Sequence, residues 1–204
     1  MSLACISFNQ PNLKRATLLL ALLINLIYAY NQLDTSNNHY SIAADISPYA
    51  FNGFSIKGSA ALKKYPRLEL HAEVFSMEYP EFFLKLNNQN VNASNIVDMK
   101  TKVQLGIASY IDYKLTKTRS SWYTGIGIVN LDERAEGIST KWLAEYSLTE
   151  VLLRIHYKKF IKHSNFFINP YLAVGNRWVR NGSTAQYALV KNIALASVYF
   201  GYEF

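Results

Sequence analysis

The sequence predicts an all-β fold, an eight-stranded antiparallel up-and-down transmembrane β-barrel over residues 39 to 204. Three observations predict it. Apolar and polar residues alternate with period two in eight stretches, the connections between these stretches alternate in length, and an apolar segment near the start reads as an export signal. Half of the 204 residues are hydrophobic and only 17% are charged, against roughly 25% in soluble domains. After the first 30 residues no apolar run is long enough to cross a bilayer as a helix. A disordered chain and a multi-helix membrane protein are therefore both excluded. A single cysteine, Cys5, excludes zinc ribbons, CxxC redox sites and internal disulfides.

The export signal comes first. Lys14 and Arg15 precede the 14-residue apolar run Ala16 to Ala29, which a polar Tyr30-Asn31-Gln32 follows. A run this short, with a basic flank and a small residue at its end, reads as a secretory signal peptide over residues 1 to 29. Its removal takes Cys5 with it and lowers the formal net charge from +7 to +5. Residues 30 to 38 form a short polar lead into the barrel.

The strands follow in order. His39 to Ser47 places Tyr40, Ile42, Ala44 and Ile46 on one face and Ser41, Ala43, Asp45 and Ser47 on the other, the mark of a strand with one apolar side. The same alternation runs through Phe54 to Leu62, Leu68 to Val74, Lys102 to Leu115, Trp122 to Val129, Glu150 to Lys158, Phe167 to Arg177 and Ala194 to Phe204. Residues 63 to 67, 116 to 120 and 162 to 165 are tight turns. Residues 77 to 101, 130 to 149 and 178 to 193 are long polar connections, and residues 48 to 53 are a shorter one. A meander with one plain and one decorated end results.

The second face decides where the apolar face points. It collects Asp45, Lys57, Glu69, His71, Glu73, Lys102, Gln104, Asp112, Lys114, Arg154, His156, Lys158, Arg177 and Glu203. With the apolar face on lipid, these charges of both signs fall inside a barrel just wide enough for side chains to fill. Asp45, Lys57, Glu69, His71, Glu73, Lys102, Arg154, His156 and Arg177 are expected to form lumen ion pairs, with Arg154 opposite Glu69, Glu73 or Asp45. Tyr40, Tyr113, Trp122, Tyr157, Phe166, Phe167, Tyr202 and Phe204 lie at strand ends beside the short turns, where an interfacial aromatic girdle belongs. The tight turns hold Lys63, Lys64, Arg67, Lys117, Arg119, Lys162 and His163 without one acidic residue, while Glu78, Glu81, Asp98, Asp132, Glu133, Glu136 and Glu145 gather in the long connections.

The chain ends in Val198-Tyr199-Phe200-Gly201-Tyr202-Glu203-Phe204, with Phe200, Tyr202 and Phe204 alternating on one face. This resembles the C-terminal signature of bacterial outer-membrane proteins, and with the signal peptide and eight strands the chain resembles the small OmpA/OmpX-like barrels. The resemblance implies a Gram-negative outer-membrane location and a monomer in contact with outer-membrane lipid and lipopolysaccharide. It also implies that Phe200, Tyr202 and Phe204 are the assembly signal read by the barrel-assembly machinery.

Chemistry-bearing motifs are sparse. No HExxH, GxSxG or phosphate-cradling glycine loop occurs, and no cofactor or metal is expected. Basic residues do not interleave with aromatics in a nucleic-acid pattern. His71 shares a face with Glu69 and Glu73, a set that could orient a histidine base, but the late His-x-Ser motif of the lipid A deacylases is absent because His163-Ser164 has no residue between. The favoured reading is a non-enzymatic barrel with a structural or surface-contact role through long extracellular loops. A lipid A-modifying barrel enzyme and a narrow pore for small solutes are the alternatives.

Overall fold

The computed structural model describes residues 39–61, 64–80, 99–137, 143–182 and 192–204. The segments expected to be the signal peptide and the polar lead lie outside the described residues. Eight strands form a closed antiparallel barrel in sequence order: β1 (His39–Asp45), β2 (Phe54–Ala61), β3 (Leu68–Glu78), β4 (Met99–Lys114), β5 (Ser121–Gly137), β6 (Leu143–Phe160), β7 (Phe166–Gly182) and β8 (Asn192–Glu203). A five-residue helix, α1 (Ile46–Ala50), follows β1, and the Asp45 side chain caps it by accepting from the Ser47 N–H at 2.9 Å. The barrel closes where β1 meets β8, from Ser41 opposite Glu203 to Asp45 opposite Tyr199. Phe204 adds the last rung, donating its N–H to the Tyr40 carbonyl at 2.8 Å. Closure leaves no unpaired edge, which is the condition for strands to cross a hydrocarbon layer.

The outward face changes character along the strands. Beside the short turns it is aromatic: Trp122 packs on Tyr157 with centroids 5.1 Å apart, and Tyr202 lies between Phe166 at 5.0 Å and Phe204 at 5.3 Å. Above this ring comes an aliphatic band in which Ile111, Ile126, Leu153 and Val174 lie side by side across four strands, all about half exposed or more. The band stops at Ile128. At the next outward rung Thr149 donates to Asn130 at 2.8 Å, then Ser147 to Asp132 at 2.8 Å, and Arg134 stands opposite Glu145.

The inward face changes in the opposite sense. It is charged behind the aliphatic band, but towards the far end it becomes an apolar core of Val103, Leu131, Ala135, Ala144, Tyr146 and Leu148. This inversion explains the strand lengths. Residues 130 to 149, expected as a long polar connection, are for the most part a continuation of β5 and β6, paired from Asn130–Thr149 up to Glu136–Leu143. Polar residues there occupy the outward face of a ladder instead of a loop. Glu133 is the exception among the acids expected in that connection, because it points inward and is buried. β7 and β4 likewise extend to Gly182 and back to Met99, into segments expected as connections.

Two inside-outside assignments differ from the sequence expectation. Lys102 lies on the outer surface, between Glu78 and Arg134. A β-bulge between Val103 and Leu105 inserts one residue against β5, and one extra residue reverses every facing before it, so Lys102 leaves the lumen and Val103 enters it. Phe167, expected in the girdle with Phe166, is 2% exposed and points inward against Phe160.

Glycines make room for the lumen charges. A Cβ on Gly125 would stand 1.9 Å from Asp112 Oδ1 and 2.5 Å from the Ile111 carbonyl, so no larger residue fits without moving the β4 backbone. Gly125→Ala is expected to lower the stability of the folded barrel by about 1–3 kcal/mol through overpacking. The neighbouring outward change Ile126→Val is expected to shift it far less. Urea unfolding in detergent, followed by tryptophan fluorescence, compares the two.

Candidate functional site in the barrel lumen

Strand alternation places the inward side chains in stacked layers. Nearest the short turns, Lys158 of β6 bridges Glu69 of β3 at 3.2 Å and Glu203 of β8 at 2.9 Å, and Ser59 of β2 donates to Glu69 at 2.6 Å. This layer ties the closing strand to the opposite wall.

The next layer is built on Asp112 of β4, which has no exposed surface. Arg154 of β6 holds it as a fork, Nε to Oδ1 at 2.9 Å and Nη2 to Oδ2 at 2.5 Å. His71 Nε2 and His156 Nε2 both reach the same Oδ2, at 2.7 and 2.8 Å. Rings fix the donors: the Arg154 guanidinium lies 3.6 Å from the Tyr110 ring centroid, and His156 stacks on Tyr123 at 4.8 Å with an interplanar angle of 3°. The sequence reading placed Asp112 on the inward face but gave Arg154 to Glu69, Glu73 or Asp45. The structure corrects that partner to Asp112. The available signal was spatial: Asp112 faces Gly125, the small residue that leaves space for a carboxylate and its fork.

Beyond the Asp112 layer, Glu73 accepts from Ser55 at 2.6 Å and from Tyr199 at 2.8 Å. Lys57 stands opposite Glu73 in the ladder, but its ammonium sits over the Tyr199 ring, 3.3 Å from the centroid. Lys57 is thus inside as expected, held by a ring face instead of a carboxylate fork. Asp45 accepts from Tyr171 at 2.9 Å and from Ser197, besides capping α1. Arg177 donates to Glu150 from Nη2 at 2.6 Å and Nε at 2.8 Å, and its Nη1 stands 3.6 Å from Glu133. Glu69, His71 and Glu73 share one face as the sequence indicated, yet each turns to a different partner, so no carboxylate of β3 orients the His71 ring.

Two regions could hold a guest. His71, Asp112 and His156 bring three ligand-type atoms within 4.8 Å of one another. The Arg154 fork occupies both oxygens of Asp112 and sets a fixed positive charge where a dication would bind, so this donor set does not suit a metal. The second region is a cavity of about 410 Å³ between the Asp112 layer and α1. Its walls are mainly apolar side chains such as Phe75, Leu131 and Leu152, with Asp45, Glu73 and Glu150 among them.

No protein-family model matches this sequence, and no curated protein matches it. Solved structures do. A major outer membrane protein from Thermus thermophilus aligns with a TM-score of 0.52 at 10% identity, covering 82% of this chain and all of that one. This chain has the fold of the eight-stranded outer-membrane barrels. The N-terminal β-barrel domain of Pseudomonas aeruginosa OprF aligns over 81% of this chain and 97% of its own, with 12% identity and a TM-score of 0.45. Neisserial surface protein A covers 81% of this chain and 92% of its own at 14% identity, with a TM-score of 0.39.

Removing Arg154 would leave Asp112 buried without its fork. Arg154→Ala is expected to destabilise the barrel by about 3–5 kcal/mol, the range for breaking a buried pair. Arg154→Lys should recover only part of this, since an ammonium cannot span both oxygens. The double variant Arg154→Ala with Asp112→Ala should be more stable than Arg154→Ala alone. Unfolding midpoints that place the double variant at the sum of the two singles would refute the coupling.

Proposed function

We propose that this chain is an outer-membrane protein of a Gram-negative envelope, exported by residues 1 to 29, with a closed lumen and a structural or surface-contact role. The observation that carries the reading is the paired inversion of the two faces. An outer surface that is aromatic, then aliphatic, then polar, around an interior that is charged and then apolar, suits a barrel that enters lipid at its short-turn end and emerges into water at the other. The long β4 to β7 then project beyond the membrane, and the surface they present is the contact surface. The outward Phe200, Tyr202 and Phe204 stand where the barrel-assembly machinery would read them, and outer-membrane lipid and lipopolysaccharide are the surroundings of a monomer. The ionic layers across the lumen support the closed barrel over the pore. The burial of His71 within the Asp112 layer, away from the cavity wall, argues against the lipid A-modifying enzyme.

The exposed Lys64, Lys117, Arg119, Lys162 and His163 and the half-buried Arg67 would face the anionic inner leaflet, at about 1 kcal/mol per lysine or arginine near such a surface. Orientation is tested in a Cys5→Ser background with single cysteines at Ala50, at the end of α1, and at Ser164, in the β6–β7 turn. An impermeant maleimide on intact cells is expected to label Ala50→Cys and to spare Ser164→Cys; the reverse pattern would invert the topology. In planar bilayers the purified barrel is expected to give no stepwise conductance. Regular single-channel steps would overturn the closed-lumen reading in favour of the pore.

A further inference from the structure

Among the described residues the buried charges of the barrel do not balance. Six buried carboxylates, on Asp45, Glu69, Glu73, Asp112, Glu133 and Glu150, face four buried lysine and arginine side chains, Lys57, Arg154, Lys158 and Arg177. The imbalance is local. Arg154 belongs to Asp112 and Lys158 to Glu69, which leaves Lys57 and Arg177 for the four carboxylates on the α1 side of the lumen. Arg177 is shared between Glu150 and Glu133, and neither Glu133 oxygen accepts a hydrogen bond from a described residue. Asp45 is satisfied only by neutral donors, the Ser47 N–H and the hydroxyls of Tyr171 and Ser197, which bind a carboxylate without cancelling its charge.

This is where the cavity lies. Asp45, Glu73 and Glu150 contribute to its wall, as do the rings of Tyr110, Tyr171 and Tyr199, and no Lys, Arg or His is among its described lining residues. The rings already show what they accept, since Tyr110 carries Arg154 and Tyr199 carries Lys57, with the Tyr171 ring stacked against Tyr199 at 4.9 Å. The remaining wall is apolar. A hydrated metal ion would lose its water there without a cage of oxygens to replace it, whereas a weakly hydrated organic ammonium keeps its charge while placing carbon against carbon. A volume of 410 Å³ falls within the range of pockets that enclose small molecules.

We propose that this cavity is a binding site for a small organic cation, an ammonium with an apolar body, whose charge is met by Asp45 and by the rings of Tyr110 and Tyr171. The proposal stands on the lumen alone and is independent of where the barrel resides. The test uses the folded protein in a non-ionic detergent, so that no ammonium headgroup competes, and titrates three probes of similar size by isothermal calorimetry: benzyltrimethylammonium, benzyl alcohol and benzoate. Saturable binding of the cation, with benzyl alcohol and benzoate weaker by at least about tenfold, is the expected result. Asp45→Asn keeps the Oδ1 acceptor that caps α1, allows the Tyr171 hydroxyl to turn and accept from Nδ2, and removes the charge; it is expected to weaken the cation by about tenfold or more. Ala173→Leu fills the cavity from β7 and is expected to abolish binding while the barrel remains heat-modifiable on gels. No saturable binding of the cation, equal binding of benzyl alcohol, or an Asp45→Asn protein that binds as the wild type does would each overturn the proposal.

Discussion

A carboxylate with no exposed surface has to be surrounded by donors, and Asp112 organises the lumen through that requirement. One fork from Arg154 and two histidine nitrogens converge on its two oxygens from β6 and β3, on either side of β4 and β5. The geometry is demanding in both directions. Gly125 has to lack a side chain for the carboxylate to lie where it does, and Tyr110 and Tyr123 have to lie flat against Arg154 and His156 for the donors to stay aimed. Each of these residues reaches the lumen because a strand alternates, so the register of four strands is coupled to one anion. A slip of one residue in any of them would carry a charge to the outer surface and leave its partner unpaired inside.

The same logic shows why the barrel changes character along its axis. Where the outer surface is aliphatic the inner residues are the charged ones, the arrangement a barrel would need in lipid, where whatever is polar has to lie inside. Where the outer surface carries Asn130, Asp132 and Arg134 the interior holds Leu131, Ala135 and Ala144, the arrangement of a protein core in water. The two regimes meet near Ile128 on β5. The ladder continues across this junction without interruption, from Ile128–Val151 to Asn130–Thr149, since backbone pairing does not depend on which solvent lies outside.

This continuity marks the limit of what was legible in the sequence. The half of each strand with apolar residues outside and charges inside reads directly, because two unlike faces alternate strictly in Leu68 to Val74 or Glu150 to Lys158. Asn130 to Thr149 alternates too, with Leu131 against Asp132 and Tyr146 against Ser147, but its polar content and short apolar side chains suggest a loop when no neighbouring strand is visible. Lys102 was lost to a single inserted residue that only pairing with β5 reveals. The lumen residues were legible as a set and not as pairs. Alternation says that Asp112 and Arg154 face inward, but which carboxylate meets which guanidinium is decided by the stagger of the barrel, a quantity no single strand encodes.

The two halves of the lumen therefore stand in different electrostatic positions. At the short-turn side each buried cation is matched: Lys158 joins two carboxylates that lock β3 and β8 together, and Arg154, with the Tyr110 ring against it, and Asp112 neutralise each other. On the α1 side the wall retreats into a cavity, and the anions outnumber the cations beside it. Overpacking and stray charge are both avoided in the first half, whereas charge and volume are both left open in the second, although a larger residue in place of the inward-facing Ala173 would reduce it. A barrel that needed only to be stable would gain by filling that space with leucine and by giving Asp45 a basic neighbour. The ionic layers and the cavity are thus complementary in the proposed reading: if the layers close the lumen, the cavity beside them is a pocket and not a channel, and its excess negative charge would suit it to retaining a cation.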